Sequence, residues 1–289
     1  MYDSKVQALR AVYQLIEWRR YKEALQEVEQ LLREQPEDPD LFALLGQIYL
    51  GMSDTEKALH WSDEALKRDP DHQVAWYVRI VVYYERQDEA AFYEALPEAQ
   101  RIDPYETSYH FYHANLLNKK GKFKEAKEKI LQALEINAES PILLAILSYT
   151  EALLNNMAES ARLDRQAIKY DSENPQILLY LAWAAGLRGD YKLQETYMRT
   201  VVRINPEEKQ YRDEYLAALQ QSQLLYRIVL WPTRILRKMQ PWQVLITWVI
   251  AGIIFRPLLL GFIVLYVATH WITKGIVHVR VFGWGRRGA

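Results

Sequence analysis

Side chains able to do chemistry are few in this 289-residue sequence. His110 and His113 stand three apart, on one face of a helix, at a spacing that suits two ligands of a metal ion. They fall, however, where the apolar periodicity packs side chains between helices, so a packed pair is expected and no metal. The acids Glu85, Asp88 and Glu89 belong to solvated surface. Arg256 and His270 are the only basic side chains in a long apolar stretch, which raises a transport role. The sequence holds no glycine-rich phosphate loop, no G-x-S-x-G and no His-Glu-x-x-His. The absence of cysteine removes disulfides, thiolate metal sites and cysteine nucleophiles, and fits a reducing compartment. The expectation is a protein with no catalytic residues, no cofactor and no metal.

Charge is divided unevenly. No Asp or Glu follows residue 222, whereas Arg227, Arg234, Arg237, Lys238, Arg256, Lys274, Arg280, Arg286 and Arg287 all do. Residues 1–222 are left with 27 basic residues against 37 acids, a net charge of about −10, beside +9 in the tail. Such asymmetry points to a membrane or a nucleic acid. The body is acidic and the basic residues flank lipid-like runs, so the expected surface is lipid and not nucleic acid. The N-terminal MYDSKVQALRAVYQLIEWRR has scattered charges and no apolar run, which is not a signal peptide. The body is therefore expected on the cytoplasmic side.

The elements that hold these residues repeat. Pro36, Pro70, Pro104 and Pro206 are spaced by 34 or three times 34, and the two missing phase positions hold Ala138 and Ser172. Each unit pairs an apolar helix of about 14 residues with a second helix and a polar break. Small or matched residues recur at helix crossings: Val12, Gly46, Ile80, Ala114, Ser148 and Ala182 face Ala24, Ala58, Phe92, Ala126, Ser160 and Gln194. Gly51, Gly121 and Gly189 mark the turns, and the break prolines end the second helices. Ser160 and Gln194 stand where alanine is favoured, so the fifth and sixth units are expected to pack more loosely.

The repeated pattern resembles the tetratricopeptide repeat family over about residues 5–206, most closely in DLFALLGQIYLGMSDTEKALHWSDEALKRDP and SYHFYHANLLNKKGKFKEAKEKILQALEI. The resemblance implies an all-α, six-unit solenoid over 1–206, a right-handed superhelix whose first helices line a groove for a protein or peptide. In that geometry the groove carries Tyr13, Gln47, Tyr77, Tyr84, Phe111, Asn115, Asn118, Tyr149 and Trp183. Aromatic anchors beside amides suit an extended peptide; the plainer alternative is that they fill space between helices. Asn115, Asn118, Arg79 and Lys119 do not match the carboxylate clamp by which some members hold chaperone C-termini. Residues 207–222 are expected to form a polar helix that closes the stack.

The tail poses a separate problem. Residues 244–272 contain no acid and no lysine, and a single arginine, Arg256, near the middle. One straight helix would be about 43 Å long, against a hydrocarbon core of roughly 30 Å. It would also hold Arg256 mid-bilayer, at about 3 kcal/mol, and Pro257 disfavours helical geometry at that residue. A hairpin over 241–273 with its turn at 255–257 removes these difficulties and puts Arg256 at the tip. Its arms either span the bilayer or enter one leaflet and return. Arg234, Arg237, Lys238, Trp242, Trp271 and Lys274 then mark the interface. Residues 223–240 have the composition of a basic interfacial helix. The basic tail at 274–289 lies on headgroups, forms a short strand or is solvated.

The function expected is a membrane-anchored adaptor with its body and C-terminus cytoplasmic. The alternative is a structural subunit of a membrane complex, with Gly252, Gly261 and Ala251 open to homo-oligomeric helix packing, or an accessory factor without chemistry of its own.

Overall fold

A computed structural model describes residues 2–223, 242–243, 246 and 256–282. The chain divides into two compact units, Met1–Ala138 and Glu139–Ala289. The first holds four antiparallel helix pairs: α1 (Tyr2–Glu17) with α2 (Tyr21–Glu34), α3 (Pro39–Gly51) with α4 (Thr55–Arg68), α5 (Gln73–Glu85) with α6 (Glu89–Ile102), and α7 (Thr107–Lys119) with α8 (Phe123–Ile136). The second holds α9 (Pro141–Leu153) with α10 (Met157–Tyr170), α11 (Pro175–Arg188) with α12 (Tyr191–Ile204), then α13 (Lys209–Ser222) and α14 (Arg256–Phe282).

The register is strict. First helices begin at 39, 73, 107, 141, 175 and 209, each 34 residues after the last. Helix starts are fixed by side chains that satisfy orphan amides: Asp54 accepts from the Lys57 N–H, Asp88 from Ala91 and Asp190 from Leu193. Between paired helices the chain passes through one residue of positive φ, at Arg19, Ser53, Gln87, Gly121, Asn155 and Gly189. These again lie 34 apart, so one left-handed turn is used six times. Gly51 is not that turn residue. It ends α3, and a Cβ there would strike the Tyr21 ring.

The cores follow from the crossing residues. Ala24, Ala58, Phe92, Ala126 and Ser160 are fully buried, as are Val12, Ile80, Ala114, Ser148 and Ala182 opposite them. Gly46 lets α3 approach α4 so closely that an added Cβ would sit 3.3 Å from the Ala58 carbonyl. The fifth and sixth units are not loosened. The Ser148 hydroxyl donates to the Ser160 carbonyl at 2.9 Å and to Asp164, and the Gln194 side chain fills the space over Gly186. Polar residues replace alanine there because they meet polar or absent side chains.

In the tail, Trp242, Gln243 and Ile246 are helical, and α14 runs beyond residue 273, where the hairpin was expected to end. It begins at Arg256, so Arg256 and Pro257 of the expected turn are helical instead, proline being accommodated in a first helical turn. Residues 276–282 are helix, so the strand considered for this segment is not formed. No helix among the described residues is long and apolar enough to cross a membrane. Arg234, Arg237, Lys238, the rest of the expected first arm and the residues after 282 lie outside the described residues, as does Phe255 in the expected turn.

Candidate partner-binding site

Each unit carries its own aromatic cluster on its first helices. In the first, the rings of Tyr84 and Tyr112 lie 4.7 Å apart, and Phe111 is 5.3 Å from Tyr112. Tyr112 is hydrogen bonded to Tyr77, and burial raises all three tyrosine hydroxyls above their usual range. Burial likewise raises the Glu85 carboxyl. Of the other expected groove residues, Tyr13 is exposed, Gln47 and Asn115 are half-buried, and Phe111 and Asn118 are buried. The Asn115 amide donates to the Phe111 carbonyl at 3.1 Å. Tyr77, Tyr84 and Phe111 are thus drawn together around Tyr112, which sequence reasoning did not single out.

In the second unit, Tyr149, Tyr180 and Trp183 form a triangle with ring centroids 5.3 to 6.1 Å apart. The Trp183 indole N–H donates to Glu214 of α13 at 3.4 Å. Burial and then the charge of Glu214 raise the Tyr149 hydroxyl. On α13 an open hollow is lined by Lys209, Gln210, Asp213, Glu214 and Ala217. Tyr180 and Glu214 were also missed. A signal existed, since Tyr112, Ile146, Tyr180 and Glu214 share one repeat position, 34 residues apart. The helix at 209–222 keeps that register, so Glu214 takes the position that Tyr180 holds one repeat earlier.

Cations that a carboxylate clamp would need are engaged elsewhere. Arg79 pairs with Asp63 and lies 5.0 Å over the Trp76 ring, and Lys119 donates to Gln87 at 3.1 Å. His113 packs 5.4 Å from Tyr93, with burial and Lys129 holding its imidazole down at about 4. His110 is half-buried and lowered by the same causes. The pair is packed between helices.

α14 is apolar on the outside. Its buried stripe is Thr269, Thr273 and Val277, spaced by four. Gln220 of α13 meets that stripe, donating to Thr273 Oγ1 at 3.0 Å and to the His270 carbonyl at 3.2 Å, with His270 Nδ1 also at 3.2 Å. His270 therefore rests against α13. Trp271 and Val264 are 68 % and 67 % exposed, and Ile263, Leu265, Val267, Ile272 and Ile276 are exposed with them. Lys274 lies 5.8 Å over the Trp271 ring, and Trp242 is exposed. The side chain of Arg256 is outside the described ones.

Antiparallel helix pairs of fixed 34-residue period give the chain the fold of a tetratricopeptide-repeat solenoid. The family model for the tetratricopeptide repeat matches residues 15–79. Among solved structures, the chain is similar to Pseudomonas aeruginosa PilF, at 15 % identity and TM-score 0.57, over 73 % of this chain and 96 % of that one. It is also similar to a tetratricopeptide repeat protein of Parabacteroides merdae, at 13 % identity and TM-score 0.59, over 73 % and 82 %. PilW, a type IV pilus biogenesis factor, aligns at 15 % identity and TM-score 0.52, over 75 % and 94 %. No curated protein sequence matches the chain.

Proposed function

We propose that this protein is a membrane-anchored adaptor, whose repeats bind a protein segment and whose C-terminal region holds the complex at a lipid surface. The observation that supports the anchor is the inverted polarity of α14. The stripe it buries against protein includes two threonines, while tryptophan, valine, leucine and isoleucine face outward. A helix in water is stabilised by the opposite arrangement, and an outward apolar face rimmed by tryptophan and lysine suits the interface of a bilayer. A hairpin whose second arm starts at Arg256–Pro257 is the anchor proposed, with Trp242, Trp271 and Lys274 at the headgroups.

The partner side rests on the aromatic clusters. Tyr77, Tyr84, Tyr149 and Trp183 offer large rigid rings next to polar groups, the composition of anchoring pockets for peptides. Within the first unit, Gln47, Asn115 and Asn118, with Tyr13 and Phe111, belong to the proposed face that carries Tyr77 and Tyr84. The gain from the anchor is effective concentration, since a partner bound at the surface meets membrane machinery more often. PilW, whose fold is similar, is a type IV pilus biogenesis factor.

Fractionation tests the anchor. The full chain should stay with membranes through a carbonate wash, and a version ending at residue 222 should be released. Release of both rejects the anchor. A monomer in detergent that captures a partner fits an adaptor, whereas a stable homo-oligomer in which Trp183→Ala changes nothing fits a structural subunit.

A further inference from the structure

We infer that the cluster of Tyr149, Tyr180, Trp183 and Glu214 selects a partner segment bearing a lysine or arginine side chain. The inference rests on the adaptor reading and names the chemistry of its partner. Tyr149 and Trp183, half-buried with ring centroids 5.7 Å apart and backed by the buried Tyr180, offer π faces, which attract a cation electrostatically. Glu214 supplies the counter-charge. Its carboxylate accepts from the Trp183 indole, and no cation pairs with it among the described residues. Neighbouring Asp213 is different, being paired with Lys209 at 3.4 Å.

Glu214 also lines an open hollow on α13 with Lys209, Gln210, Asp213 and Ala217, and Lys209 there is taken up by Asp213, so a chain crossing α13 passes the carboxylate to which the indole donates. A long basic side chain lays its methylene stem on the rings and its charged end at the carboxylate. An acidic or purely aliphatic side chain would leave Glu214 either repelled or desolvated without a partner. The first unit has a matching composition, with Tyr77, Tyr84 and Tyr112 near Glu85. The body's net charge of about −10 favours approach of basic segments in general.

The test is selection of a random dodecapeptide library on the full chain in detergent, followed by anisotropy with labelled copies of the recovered sequences. A lysine or arginine should be enriched at one fixed position. Changing that residue to norleucine should weaken binding roughly tenfold. Glu214→Lys should reverse the preference toward acidic peptides, and Trp183→Ala should weaken binding by a similar factor. Peptides recovered without basic enrichment, or enrichment that Glu214→Lys leaves unmoved, overturn this inference and leave the adaptor reading standing. Recovery of no peptide above background, with far-ultraviolet dichroism intact, overturns both.

Discussion

Arg188, the last residue of α11, reaches Asp164 in the middle of α10, and both side chains are out of water, 8 % and 3 % exposed. The guanidinium also donates to Ser160 Oγ at 2.6 Å, and Ser148 donates to the other side of the carboxylate. A buried charge that loses its partner keeps its desolvation cost without compensation. Asp164→Ala or Arg188→Ala should therefore lower stability by about 3–5 kcal/mol, read as the urea midpoint of the full chain. The double variant Asp164→Leu with Arg188→Met removes both charges and should be more stable than either single change.

The six positive-φ residues give a second expectation. Gly121 (φ 76°) has nothing within 4 Å of where a Cβ would lie, so Gly121→Ala is opposed by backbone conformation alone. It should cost about 1 kcal/mol. Gln87 and Arg19 adopt the same conformation without being glycine. Gln87→Gly should gain a few tenths to about 1 kcal/mol, seen as a higher thermal midpoint.

The contrast between these positions explains what was legible beforehand. A 34-residue period is written in every unit, so helix starts and crossing pairs could be placed from residues such as Ala58 and Pro70. The turn was obscured because only two of its six residues are glycine, and Gly51 drew attention for a different reason, its contact with Tyr21. Ser160 and Gln194 suggested loosening, since nothing local reveals that Arg188, 28 residues later, answers Ser160. Tyr77, Tyr84, Tyr149 and Trp183 were visible as an aromatic series. Glu214 was not, because a lone acid in a polar helix looks like solvated surface until the indole that binds it is known.

His113 supplies a dependence on pH. Burial is the main reason its imidazole is held at about 4, with Lys129, His110 and Lys120 adding to it and Glu125 opposing. Between that value and the ordinary histidine range near 6.5, the unfolded chain binds the proton and the folded chain does not. Stability is then highest above about 6.5 and falls as pH drops toward 4. With half-burial discounting the effect, the loss from this group is about 1–2 kcal/mol. His113→Phe should lack it, so the difference in urea midpoint between variant and parent should move in the variant's favour from pH 7 to pH 4.5.

The seat of α14 on α13 is open to a direct check because the sequence contains no cysteine. Gln220 reaches Thr273 at 3.0 Å, while Trp271, two residues earlier, is turned outward on α14. Successive residues on a helix are separated by about 100°, so a two-residue shift carries a side chain to the far face. A short bis-methanethiosulfonate reagent should therefore join Gln220→Cys to Thr273→Cys within one chain, detected by intact mass. The pair Gln220→Cys with Trp271→Cys should instead react as two separate thiols. Equal cross-linking of the two pairs would mean that the threonine stripe is not the face held against protein, and the outward apolar face would lose its meaning with it.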